Sequence, residues 1–152
     1  MSSSDNADVA IFMHQANEGS SPRQFTIAND KLFFRTLFNN TIEGGLWVSD
    51  GTKNGTFNLT NVNLVIAGFG EIIAVDNKIF FQVNPGRVLG GGTSVSDGTF
   101  EGTFSISNLS SGISRPNFIT TLDNKLLLSV TKSDIGEELW ISDGTEDGSF
   151  LV

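Results

Sequence analysis

Short apolar runs recur along this chain, and each is broken by a polar pair or a glycine-rich patch. Arg23 to Ala28 reads as a strand, Asn29-Asp30 as a tight turn, and Lys31 to Leu37 as the returning strand. Apolar, β-branched and aromatic residues on both sides of a two-residue polar turn are the signal of a short hairpin. The pattern returns from Ile72 to Phe81 around Asp76-Asn77, and from Ile119 to Leu128 around Asp123-Asn124. The turn lysines Lys31, Lys78 and Lys125 are 47 residues apart both times (78 − 31 and 125 − 78). No segment carries a sustained 3.6-residue apolar period, so very little helix is expected.

Gly-rich or polar loops are expected at 38–45, 84–92 and 131–138, with Gly90-Gly91-Gly92 as a flexible stretch in the second. A second hairpin follows each loop. Its connection reads Ser-Asp-Gly-Thr, two variable residues, then Gly, Thr or Ser, and Phe. The copies run from Ser49 to Phe57, from Ser96 to Phe104 and from Ser142 to Phe150, with their aspartates 47 and 46 residues apart (97 − 50 and 143 − 97). Each repeat thus supplies four short antiparallel strands in order, at about 23–64, 70–111 and 117–152.

Four-stranded repeats of roughly 40–50 residues are the mark of β-propeller blades, in which each small sheet covers its faces against the next. The expected fold is all-β: three blade-like repeats forming a partial propeller. Closed propellers have about four to eight blades, so completion by oligomerisation is expected, with a dimer giving six. A β-trefoil, which also carries three four-stranded repeats, is the alternative. Residues 1–7 are expected to be a flexible tail, and 8–152 a single repeat domain with an extra N-terminal strand at 8–14.

Composition narrows the partners. The net charge is −8, and nine Lys and Arg show no cluster. A basic stripe to engage phosphates is missing, which sets nucleic acid aside. No apolar run reaches the length of a membrane span, so insertion is not expected. Cysteine is absent, which removes disulfides, thiol nucleophiles and Cys-based metal sites. The first residues lack the basic and apolar regions of a signal peptide.

The third copy, from Glu138-Leu139-Trp140-Ile141-Ser142-Asp143-Gly144-Thr145 to Ser149, closely resembles the ELWxxDGT repeat of large bacterial proteins. The first copy matches from Leu46 to Thr56, with Gly45 in place of the Glu. The second keeps Ser96-Asp97-Gly98-Thr99 and Gly102-Thr103 but carries Thr93-Ser94 where Leu-Trp is expected. The resemblance spans nearly the whole chain. It implies propeller-type modules of secreted or cell-surface bacterial proteins, with no general catalytic assignment.

Candidate chemistry is sparse. The motif aspartates Asp50, Asp97 and Asp143 suit turn fixing, because an Asp carboxylate accepts main-chain N–H bonds two or three residues on. Gly51, Gly55, Gly98, Gly102, Gly144 and Gly148 suit the same turns. Calcium is the one cofactor the acidic residues suggest, with Asp143, Glu146 and Asp147 as its candidate ligands, since hard cations need several converging oxygens. Trp47 and Trp140 read as packing anchors or, less readily, as glycan-stacking platforms. His14 is the single histidine and has no evident catalytic partner. The expected function is therefore a non-catalytic, extracellular or cell-surface interaction and assembly module. A lectin with sites at blade junctions, or a calcium-stabilised structural repeat, are the alternatives. Expected partners are a second copy of the chain, and a glycan or surface protein.

Overall fold

A computed structural model describes residues 21–36, 45–59, 70–83, 91–111 and 116–152. The expected tail at 1–7, the strand at 8–14 and His14 lie outside these residues, as does most of the loops expected at 38–45 and 84–92. Among the described residues there is no helix. The described residues form twelve strands in three antiparallel sheets of four.

Sheet 1 is built of β1 (Arg23–Ala28), β2 (Lys31–Arg35), β3 (Leu46–Ser49) and β4 (Phe57–Asn58). Sheet 2 holds β5 (Ile72–Val75), β6 (Lys78–Val83), β7 (Gly91–Ser96) and β8 (Phe104–Ser111). Sheet 3 holds β9 (Asn117–Leu122), β10 (Lys125–Lys132), β11 (Gly136–Ser142) and β12 (Ser149–Leu151). In each sheet the strands pair with their neighbours in chain order. The first hairpin of every sheet closes with Ala28, Val75 or Leu122 opposite the turn lysine. Asn29, Asp30, Asp76, Asp123 and Asn124 take positive φ there, the conformation that two-residue hairpin turns demand and that Asn and Asp tolerate.

The sheets stack in order. Side chains alternate across a strand, so each sheet presents two faces. Phe33, Leu46 and Val48 of sheet 1 pack on Ile79 and Phe81 of sheet 2. The opposite face of sheet 2, with Phe80, Val95 and Ile106, packs on Leu126, Leu128, Val130 and Trp140 of sheet 3. The middle sheet is consequently buried on both sides: Ile79 and Phe80 are both 0% exposed. Burying one such side chain contributes about 2 kcal/mol.

Parts of two expected loops are strand instead. The 131–138 segment shrinks to a turn at Ser133–Ile135, because β10 runs to Lys132 and β11 starts at Gly136. Its polar residues sit on a solvent-facing extension of the sheet. Gly91 and Gly92 open β7 and are buried. A Cβ on Gly92 would meet Ser110 Oγ at 3.0 Å, so glycine there serves close approach between strands rather than flexibility.

Candidate functional site

The Ser-Asp-Gly-Thr connection joins the last two strands of each sheet, and its internal bonding is the same three times. Asp50 Oδ1 accepts from the Thr52 amide at 2.9 Å and from the Thr52 hydroxyl at 2.7 Å. Asp97 Oδ1 with Thr99, and Asp143 Oδ1 with Thr145, repeat both distances. The Thr hydroxyl in turn accepts from the Gly55, Gly102 or Gly148 amide. The leading serine accepts from the next glycine amide, and its hydroxyl meets that of Thr56, Thr103 or Ser149 within 2.6 to 2.7 Å.

Each glycine has a separate reason. Gly51, Gly98 and Gly144 hold φ of 86°, 87° and 92°, where an L side chain is strained. Gly55, Gly102 and Gly148 sit under the aspartate: a Cβ on any of them would lie within 2.0 to 2.1 Å of a carboxylate oxygen. The loop is closed on itself, and both of its glycines are part of that closure.

Electrostatics agree with the bonding. The Thr52 hydroxyl, then its amide, hold the Asp50 carboxyl below the ordinary aspartate value. For Asp143 the Thr145 hydroxyl has the largest effect, burial works against it, and the Thr145 amide, Lys78 and Lys125 add to the lowering. For Asp97 burial is the largest single effect and raises the pKa, yet Thr99 and Lys31 together outweigh it. These aspartates are held as anions by donors inside the loop, with lysines at a distance.

The loops also couple sheet to sheet. Lys31 Nζ donates to the Asp97 carbonyl at 3.3 Å, and Lys78 Nζ donates to the Asp143 carbonyl at 2.9 Å. The turn lysine of one sheet thus reaches the motif aspartate of the next. Its stem lies on the motif glycine: Lys31 Cδ would be 2.9 Å from a Cβ on Gly98, and Lys78 Cδ 3.0 Å from one on Gly144.

The first variable position touches the last strand of the preceding sheet. The Phe100 ring lies 5.3 Å from that of Phe57. At the equivalent place Glu146 accepts from the Ser107 amide and hydroxyl and from the Asn108 amide, and the Asn108 side chain donates to the Glu146 and Ser149 carbonyls. The Ser107 hydroxyl, followed by its amide, holds the Glu146 carboxyl below its ordinary value.

The acidic candidates for calcium are therefore not brought together. Glu146 faces β8, Asp143 is engaged within its own loop, and Asp147 is exposed. Among the described residues no group of three or more His, Asp or Glu is arranged to hold a metal ion. Trp47 and Trp140 are 3% and 9% exposed, so neither presents a ring face to solvent. Trp47 Nε1 donates to Thr36 Oγ1 at 3.1 Å. Trp140 Nε1 is buried without a hydrogen-bond partner among the described residues, and Lys132 Nζ lies 4.6 Å from its ring centroid.

A shallow groove of about 390 Å³ opens between β1, β5 and β9, lined by Phe25, Ile72, Ile73, Phe118 and Ile119 with Gln24 and Glu71. Phe25, Ile72 and Ile119 occupy equivalent places one repeat apart. The inter-sheet bonds were missed in the sequence, although the constant 47-residue phase of lysine against motif was a signal for them.

Searches for matching family models, curated proteins and solved structures found no match.

Proposed function

We propose that this chain is a non-catalytic interaction and assembly module built of β-propeller blades, working outside or at the surface of a bacterial cell. The observation that carries this reading is the repeated coupling of Lys31 to Asp97 and of Lys78 to Asp143. The most regular feature of the chain, its aspartate loop, is spent on turn closure and on joining one sheet to the next. Such a loop is a device for stacking blades, and stacked blades of this kind complete a ring of about four to eight. The bacterial, extracellular setting rests on the resemblance to ELWxxDGT repeats.

The assembly reading is favoured over a lectin because both tryptophans are buried, whereas glycan stacking uses exposed aromatic faces. Sedimentation velocity across a concentration series tests it. A species heavier than the 16.3 kDa chain is expected, and a monomer at every concentration would end the assembly reading. A glycan array with strong, saturable hits would move the function to the lectin class.

A further inference from the structure

We propose that the outward face of sheet 3 docks onto the outward face of sheet 1 of a second copy, with Lys125 taking at Asp50 and Gly51 the place that Lys31 takes at Asp97 and Gly98. The proposal rests on the reading of the chain as an assembly module, and adds to it the two faces and the contact that joins them.

Among the described residues there are two complete sheet-to-sheet junctions, and both are built alike. Each junction has a donating face, marked by its turn lysine, and an accepting face, marked by its motif glycine. Sheet 1 donates to sheet 2 and sheet 2 donates to sheet 3. One donating face, on sheet 3, and one accepting face, on sheet 1, are left over.

The donating face of sheet 3 is apolar at the equivalent places. Ala28 and Val75 are each 4% exposed in the two junctions, while Leu122, one repeat on, is 55% exposed. Leu46 and Thr93 are both 0% exposed, while Leu139 is 38% exposed. Among the described residues Lys125 makes no hydrogen bond, though both lysines in its phase do.

The accepting face of sheet 1 is open at the matching end. Gly98 and Gly144 are buried under a lysine stem, while Gly51 is exposed and a Cβ built on it meets nothing within 4 Å. Phe25 and Ile27 are 59% and 69% exposed, whereas their equivalents Ile72 and Ala74 pack into the core between sheets 1 and 2. Further along this face Phe34 and Trp47 are already buried, so the new contact falls on the β1 side and around Gly51. The contact is head-to-tail, and such a contact closes into a ring when its rotation permits. Two copies supply six sheets, within the range of known propellers.

The absence of cysteine allows a directed test. Lys125→Cys and Asn54→Cys are made separately, each at an exposed or half-exposed place. They are then mixed and treated with a flexible bismaleimide. The expected result is a cross-linked pair containing one chain of each kind, with little product from either variant alone. Leu122→Asp should raise the dissociation constant of the assembly about tenfold, with its circular dichroism spectrum unchanged. Self-linking of Lys125→Cys would show sheet 3 meeting sheet 3 and overturn the proposal. So would an assembled wild type whose mass is insensitive to Leu122→Asp and whose cysteine pair does not link. A wild type that stays monomeric would instead remove the assembly reading itself.

Discussion

Lys78 Nζ and the main-chain carbonyl of Asp143 lie 2.9 Å apart across 65 residues of chain. The lysine stem rests on Gly144, so one side chain supplies both a hydrogen bond and packing to the next sheet. Lys78→Met keeps the apolar stem and removes the donor. It should lower stability by about 1 kcal/mol, seen as a shift in the urea midpoint with an unchanged slope. Lys31→Met should cost less, since its bond is longer, at 3.3 Å, and exposed.

The paired glycines of the loop should not behave alike. Gly148→Ala puts a Cβ about 2.1 Å from Asp143 Oδ1 and displaces the carboxylate from Thr145, for a loss of about 3 kcal/mol. Gly51→Ala meets nothing within 4 Å and carries only the cost of positive φ, about 1 kcal/mol. Gly144→Ala, crowded by Lys78 and Val95, should fall between them in a denaturant series.

The hairpin turns and the 47-residue spacing were legible because turn chemistry is local: Asn and Asp at positive φ leave a signature in two adjacent residues. The stacking faces were not legible: burial alternates along β10 from Leu126 to Val130, but the run Leu-Leu-Leu-Ser-Val does not alternate and says nothing of which sheet covers which face. The strand at Lys132 and Gly136 was hidden because exposed strands carry the same polar residues as loops. Gly91 and Gly92 misled for the opposite reason, since a glycine chosen for close approach looks like one chosen for freedom. Glu146 looked like part of an acidic cluster, and only the fold shows it turned toward Ser107 and Asn108.

Stability should depend on acid in a defined direction. The folded-state pKa values of Asp50, Asp97, Asp143 and Glu146 are all lowered. The unfolded chain therefore binds protons first as pH falls, and the folded state loses ground. The contribution is complete above the ordinary carboxylate values of 3.8 and 4.5 and disappears as pH drops through the lowered folded values. Melting temperature should stay level from about pH 7 to 5.5 as far as these groups are concerned, then decline. In Asp143→Asn the decline should be shallower, because one of the depressed groups is gone.

The two tryptophans should separate on substitution by phenylalanine. Trp47→Phe removes the bond from Nε1 to Thr36 Oγ1 in a buried setting and should cost about 1–2 kcal/mol. Trp140→Phe deletes a buried donor that has no partner among the described residues, which offsets much of the lost ring contact. Its cost should stay below about 1 kcal/mol by thermal or urea unfolding.

The aspartate loop closes upon itself through the side chains of constant residues, while the side chains at its two middle positions vary. One of them then faces the preceding sheet: Phe100 meets an aromatic ring there, while Glu146 meets a row of donors. A common bracket thus carries an interchangeable tooth, and the tooth records which neighbour comes before it. Exchanging Phe100 and Glu146 would set a carboxylate against Phe57 and a phenyl ring against the unanswered donors of Ser107 and Asn108. The order of the repeats is in this sense written into one side chain of the second and third loops, separately from the side chains that close the loop.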